Sequence, residues 1–266
     1  MRVSVLAKSL RDVRRSFGWW SLGLIGLVAM MMAVYPSIRG DQSMTKLVND
    51  LPKALKSFMS FGGDVDWASP TGYLGRELFS FMVPLLLLVA AIGGGAGSIA
   101  GEEERGTLDL LLSNPVSRTR VALEKLAAIV IEVAGLGLVF LIALWIGARA
   151  VAMHSGLADL GAATASAVLL ALAFGAIAFM LGALSGRRVL AAGVTSAAAV
   201  AAYFVNALAP LVGALSGVQK ASPFYHYAAG EPLQHGFQPV HALLLAVIAV
   251  AAAAVGVAGL RRRDLG

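Results

Sequence analysis

Three consecutive carboxylates, Glu102, Glu103 and Glu104, run directly into Arg105-Gly106-Thr107, an apolar ladder and Pro115. Clustered carboxylates can do acid–base work when their surroundings pull their affinities for protons apart. They can also hold hard cations when other oxygens converge on the same point. Neither chemistry is completed here, because 101–118 contains no nucleophile–base pair and no set of metal ligands. The other residues capable of chemistry are scattered. Glu132 stands alone in an otherwise apolar run, and His226, His235 and His241 are separated by nine and six residues with only Glu231 nearby. That spacing matches no recognised metal motif, and packing among Tyr225, Tyr227 and the histidines is the better reading. No G-x-S-x-G or H-E-x-x-H pattern is present, and there is no cysteine, which excludes disulfides, thiolate metal sites and cysteine nucleophiles.

Nucleotide chemistry is absent as well. A P-loop needs G-x-x-x-x-G-K-[ST], and no Gly-Lys-Ser/Thr occurs anywhere in the chain. The run Gly93-Gly94-Gly95-Ala96-Gly97-Ser98 has no lysine and follows no strand pattern. Small residues at helical spacing instead allow helices to approach closely in lipid.

The elements that must carry these residues are membrane helices. Apolar residues make up 58% of the 266 and charged residues 14%, and mean hydropathy is +0.80. A soluble domain is about a quarter charged, so the chain is integral to a membrane. A helical span needs about 20 apolar residues. Six stretches qualify: 18–35, 78–100, 126–147, 162–184, 189–213 and 239–260. Only Ser185-Gly186-Arg187-Arg188 separates the fourth from the fifth, which forces an antiparallel hairpin.

Lys and Arg placement sets the orientation. One side receives Arg2, Lys8, Arg11, Arg14, Arg15, Arg105, Arg118, Arg120, Lys125, Arg187, Arg188, Arg261, Arg262 and Arg263, two thirds of the 21 basic residues. Five of the remaining seven fall in one long loop, where the rule counts them less. Both termini are therefore expected in the cytoplasm. The net charge of +6 is mostly this topological signal and carries no implication of nucleic-acid binding.

Flanking segments have patterns of their own. Val3, Leu6, Leu10, Val13 and Phe17 fall at helical spacing among basic residues. That suits an amphipathic helix over 1–17 lying in the headgroup plane, or more simply a basic flank to the first span. Trp19 and Trp20 sit where interfacial anchors are expected. No convincing small-x-small cleavage site follows the first apolar run. Outer segment 36–76 carries short amphipathic patterns broken by Pro52 and Gly62-Gly63. Segment 214–238 is too apolar at its start for a free loop and too broken by Pro223 and Pro232 to span, so an outer re-entrant helical hairpin is expected. Arg149, His154 and Asp159 belong to a short solvated outer loop.

Within 101–118, Thr107 can act as an N-cap after a bend at Gly106. Asp109 suits the first turn of the new helix, and Leu108, Leu111 and Leu112 share one face. Pro115 stops the helix beyond Asn114. E-E-E-R-G-T-L-D-L-L-L-S-x-P-V-S-R between spans 2 and 3 of six resembles the signature of type 2 ABC-transporter permeases, and the resemblance extends over essentially the whole chain. It implies an all-α integral membrane subunit, with an interface helix, a cytoplasmic coupling helix and the outer hairpin. Glu103, Glu104, Arg105, Gly106, Thr107, Leu108, Asp109, Leu111, Leu112, Pro115 and Arg118 would form or frame the docking contact with an ATPase.

The same resemblance implies two ATPase subunits that bind the ATP and Mg, so the chain needs no cofactor of its own. It implies a second permease, identical or paralogous, in the cytoplasmic (inner) membrane, with membrane lipid around the pair and room for an accessory extracytoplasmic protein. Export, along a path lined mainly by spans 2 and 5, is likewise a property of the family and not of any residue here.

Two intramembrane polar residues remain. A carboxylate at mid-membrane costs about 2.5–3.5 kcal/mol on insertion scales. Glu132 is thus either functional, or close enough to the headgroups to be solvated or paired with a cytoplasmic arginine. Asn206, near the outer end of span 5, suits an interhelical hydrogen bond better than a place on a pathway. Two other classes are open: a polytopic enzyme acting on lipid, and a non-transporting membrane partner of an ATPase. The first needs catalytic groups clustered at one depth, and Glu132 is the single carboxylate inside the spans. The interior permits a lipid, a hydrophobic drug or peptide, or a lipid-linked glycan as cargo.

Overall fold

The structure, a computed structural model, describes residues 5–38, 69–108, 116–210, 212, 216–229 and 231–263. Asp109, Leu111, Leu112 and Pro115, and most of outer segment 36–76, lie outside the described residues. Those described contain helices and no strand. Helix α1 runs Val5–Ile38. After it come α2 (Pro70–Tyr73), a π-helical stretch Leu74–Met82, α3 (Val83–Ser98) and the short α4 (Ala100–Glu104). The chain then forms α5 (Arg118–Ala150), α6 (Leu157–Ser185) and α7 (Arg188–Leu208). Three short helices follow, α8 (Ser216–Gln219), α9 (Pro223–Ala228) and α10 (Pro232–His235), before α11 (Pro239–Arg262). Six helices among the described residues are long and apolar enough to cross a membrane.

One boundary differs from the sequence pattern. The described part of the expected helix, 5–17, and the span at 18–35 form one continuous helix, α1, with no break at Gly18. Glycine costs an α-helix only about 1 kcal/mol relative to alanine. The tertiary contacts of α1 outweigh that: it packs along α5, and Leu6 N–H donates to Glu124 Oε2 at 2.8 Å.

Helix α6 is the hub, touching α3, α11, α5 and α7. Its sequence explains why. Alanine and glycine dominate LADLGAATASAVLLALAFGAIAFMLGALS, and without large side chains its neighbours come close on several sides. The tightest approach is to α3. A Cβ placed on Gly95 would strike the Gly175 carbonyl oxygen, with Phe179 N at 3.0 Å and Ala178 Cβ at 3.1 Å. A Cβ on Gly175 would meet Ala91 Cβ and O at 3.1 Å. Gly95 is therefore a packing device. Gly93 is not, since a Cβ there meets nothing within 4 Å. Gly95→Leu is expected to lower stability by about 1–3 kcal/mol through overpacking, whereas Gly93→Leu should fold like wild type. Unfolding midpoints in detergent check the contrast.

Gly186 ends α6 in the left-handed region, φ +66°, and its N–H closes onto Gly182 O at 2.9 Å. That conformation suits glycine and lets α7 start at Arg188. At the opposite end, α9 docks on the bundle through Phe224, whose ring meets Tyr203 edge-on at 5.5 Å and Phe174 at 6.0 Å. Ser222 Oγ donates to Ala202 O at 3.0 Å and caps α9 by accepting from Phe224 N at 3.2 Å. The buried Tyr227 hydroxyl donates to Phe79 O in the π-helical stretch. Burial pushes the Tyr227 phenol far above its ordinary range, so it stays a donor at every physiological pH.

Candidate functional site

The bundle end where α1 starts and α11 stops collects the three adjacent glutamates, and each is bonded to a different neighbour. Glu102 is buried. Its Oε1 accepts from Lys125 Nζ of α5 at 2.7 Å and from Lys8 Nζ of α1 at 3.3 Å. Lys125 is equally enclosed, with 6% of its side chain exposed. Glu103 pairs through both oxygens with the Arg263 guanidinium, just beyond α11, and Arg263 also donates to Ala183 O of α6. Glu104 Oε1 accepts from the backbone N–H of Arg188 at 2.7 Å, at the first residue of α7. A carboxylate there satisfies an otherwise free amide and suits the positive end of the helix dipole.

Local sequence dictates this fan. Ile99 separates α4 from α3, and Glu102 and Glu103 both donate their N–H groups to Ile99 O at 3.0 Å. Consecutive helical residues are about 100° apart around the axis, so three in a row face three directions. Gly106, at φ +66°, ends the turn, and the Thr107 hydroxyl donates back to Glu102 O at 3.1 Å. Leu108 is buried. Arg118 begins α5 behind a Ser117 N-cap that accepts from Arg120 N at 3.3 Å, and its guanidinium donates to Arg263 O. Sequence reasoning singled out Glu103, Glu104, Arg105, Gly106, Thr107, Leu108 and Arg118, and these sit together here. It missed the internal partners Lys8, Lys125, Arg188 and Arg263. Their positive charges at span ends were visible, but they were counted only as topology.

A cavity of about 530 Å³ opens beside this cluster between α1, α3, α4 and α5. Ser9, Asp12, Ser16 and Trp20 line it from α1, Gly93, Gly94 and Gly97 from α3, and Lys125, Ile129 and Glu132 from α5. Glu132 is 6% exposed, and among the described residues its carboxylate has no hydrogen bond or ion pair. Among the described residues no arginine pairs with it.

Asn206 is buried, but its partner is Gln219 of α8, whose Nε2 donates to Asn206 Oδ1 at 3.3 Å. It ties α7 to the following short helix and does not bridge two spans. Among the histidines, His226 and His241 meet with Nδ1 atoms 3.1 Å apart, so one ring donates and the other accepts. Tyr225 packs edge-on against both rings. His235 instead faces Glu231 at 3.8 Å. Among the described residues no three His, Cys, Asp or Glu side chains stand close enough to share a metal.

Burial and, secondarily, the His241 ring hold the His226 imidazole below its ordinary 6.5. The unfolded chain then takes up a proton first as the pH falls, so stability is full above 6.5 and declines below it. The unfolding midpoint is expected to drop as the pH falls below 6.5, and His226→Phe should flatten that part of the drop. Equal slopes in the two proteins would remove His226 as its source.

A chain whose described residues form six apolar helices of membrane length, bonded together at one end, is a multi-pass membrane protein. The family profile described as ABC-2 family transporter protein matches residues 3–264, and the chain belongs to that family. Membership makes it a permease subunit of an ABC transporter and implies association with an ABC ATPase. No individual curated protein matches the chain.

Proposed function

We propose that this permease is the transmembrane subunit of an ATP-driven exporter, moved by ATPase subunits that dock on the segment after α4. ATP and Mg reside in two such subunits, and a second permease, identical or paralogous, completes the path. The end where α1 starts and α11 stops faces the cytoplasm, in line with the Lys and Arg asymmetry of the sequence. One observation carries the reading: Glu102, Glu103 and Glu104 are bonded to α1 and α5, to Arg263 after α11, and to α7 respectively. A push on the adjoining segment would therefore reach four of the other long helices at once. A segment serving only as a loop has no need of such links.

Co-purification from native membranes tests the proposal. A P-loop ATPase should accompany the tagged permease, with ATP hydrolysis that rises when cargo is present. Failure to recover any ATPase would sink the reading. A bound ATPase without a transport phenotype would favour the non-transporting membrane partner.

A further inference from the structure

The cavity beside the glutamate cluster is built asymmetrically. At the end beside the glutamates the Lys125 ammonium is already committed to Glu102 at 2.7 Å. Seven residues further along α5, about 10 Å at helical rise, Glu132 lines the same cavity without a partner among the described residues. The position facing it on α3 is Gly94, where even a Cβ would come within 3.4 Å of Glu132 Oε2. One turn further on, Gly97 likewise leaves room beside Arg188. Glycine thus keeps the space along the carboxylate clear. The lining is mixed, and its apolar part includes Ala90, Ile129 and the Trp20 side chain.

A buried carboxylate without a partner is costly, and an aromatic wall attracts cations. An inorganic ion would need several converging oxygens, and no such group of acidic side chains exists among the described residues. Arg105 and Arg188 also line the cavity but are exposed, so solvent screens them. Asp12, on α1, lines the cavity too, and it is exposed and screened in the same way.

We propose that this cavity is a binding site for a lipophilic monovalent organic cation, with Glu132 as its counterion. The occupant presents one positive charge to Glu132 and apolar surface to Ile129, Ala90 and Trp20. As cargo it would deepen the exporter reading on which that role rests. Binding itself needs no ATPase, so failure of the site and failure of the coupling reading can be told apart.

The test uses the purified full-length permease in lipid nanodiscs with two radiolabelled probes of matched shape, tetraphenylphosphonium and tetraphenylborate. Saturable binding of tetraphenylphosphonium, and not of tetraphenylborate, is expected. Glu132→Gln should weaken it about tenfold or more, and Glu132→Asp should stay within about threefold of wild type. Gly93→Leu keeps the carboxylate but fills open space in the cavity, so it should also lose binding while unfolding like wild type. That variant preserves the test if Glu132→Gln does not fold. No saturable binding to wild type, equal binding of the two probes, or unchanged affinity in Glu132→Gln or Gly93→Leu would each overturn the proposal.

Discussion

Glu102→Ala is expected to lower the unfolding free energy by about 3–5 kcal/mol, the usual cost of leaving a buried charge without its partner. The stranded group is Lys125, whose ammonium has Glu102 Oε1 at 2.7 Å and almost no access to water. Lys125→Met should cost less than Glu102→Ala, since Glu102 keeps the longer contact to Lys8 at 3.3 Å, although its Oε2 lacks a hydrogen bond. Lys8→Met should cost far less, because Lys8 is 39% exposed and its contact is longer at 3.3 Å. Removing both charges in Glu102→Leu/Lys125→Met should return stability to the wild-type level or above, because apolar packing replaces an expensive desolvation. Denaturant titration in detergent reads all four. Single variants as stable as wild type would mean that the pair is solvated in the folded protein. The stable double variant also separates stability from transmission, since it folds without the link from α4 to α1 and α5.

The second large effect lies in the segment that the resemblance assigns to docking. Leu111→Asp places a charge in the apolar ladder of the sequence, where, on the docking reading, an ATPase groove would have to desolvate it. Loss of a central apolar anchor costs an interface about 2 kcal/mol or more, roughly thirtyfold in affinity. The permease should still insert and fold, while ATPase recovery in pull-downs falls by that order. Glu104→Lys would be a poorer probe. Glu104 Oε1 holds the first amide of α7, so a lysine there disturbs the fold as well as any partner. Glu104→Gln keeps an acceptor oxygen and removes only the charge. Normal ATPase recovery with Leu111→Asp would take this face out of the interface.

Much of the fold was legible because lipid leaves the chain few options. Six apolar runs of about 20 residues must be helices, and the four-residue link at 185–188 leaves α6 and α7 no choice but to fold back. Two features were not legible for physical reasons. The continuity of α1 through Gly18 is decided by packing on α5 and by the Leu6–Glu124 bond, a contact across 118 residues that no local window contains. The partners of the glutamates were hidden for the same reason: Glu103 and Arg263 are 160 positions apart. The glycine run was half understood. Close packing explains Gly95 against Gly175, whereas Gly93 and Gly94 line a cavity, a division set by which side of α3 faces α6.

A site-specific cross-link tests most directly whether the segment after α4 receives the force of ATP hydrolysis. The chain has no cysteine, so Leu111→Cys offers a single thiol for a benzophenone maleimide without further engineering. Irradiation of the transporter purified from native membranes should join the permease to a P-loop ATPase, with a yield that changes when ATP is added. His154→Cys, in the loop between α5 and α6 at the opposite end, should give no such adduct. No ATPase adduct at position 111, or equal capture from position 154, would contradict the assignment of this segment as the coupling element.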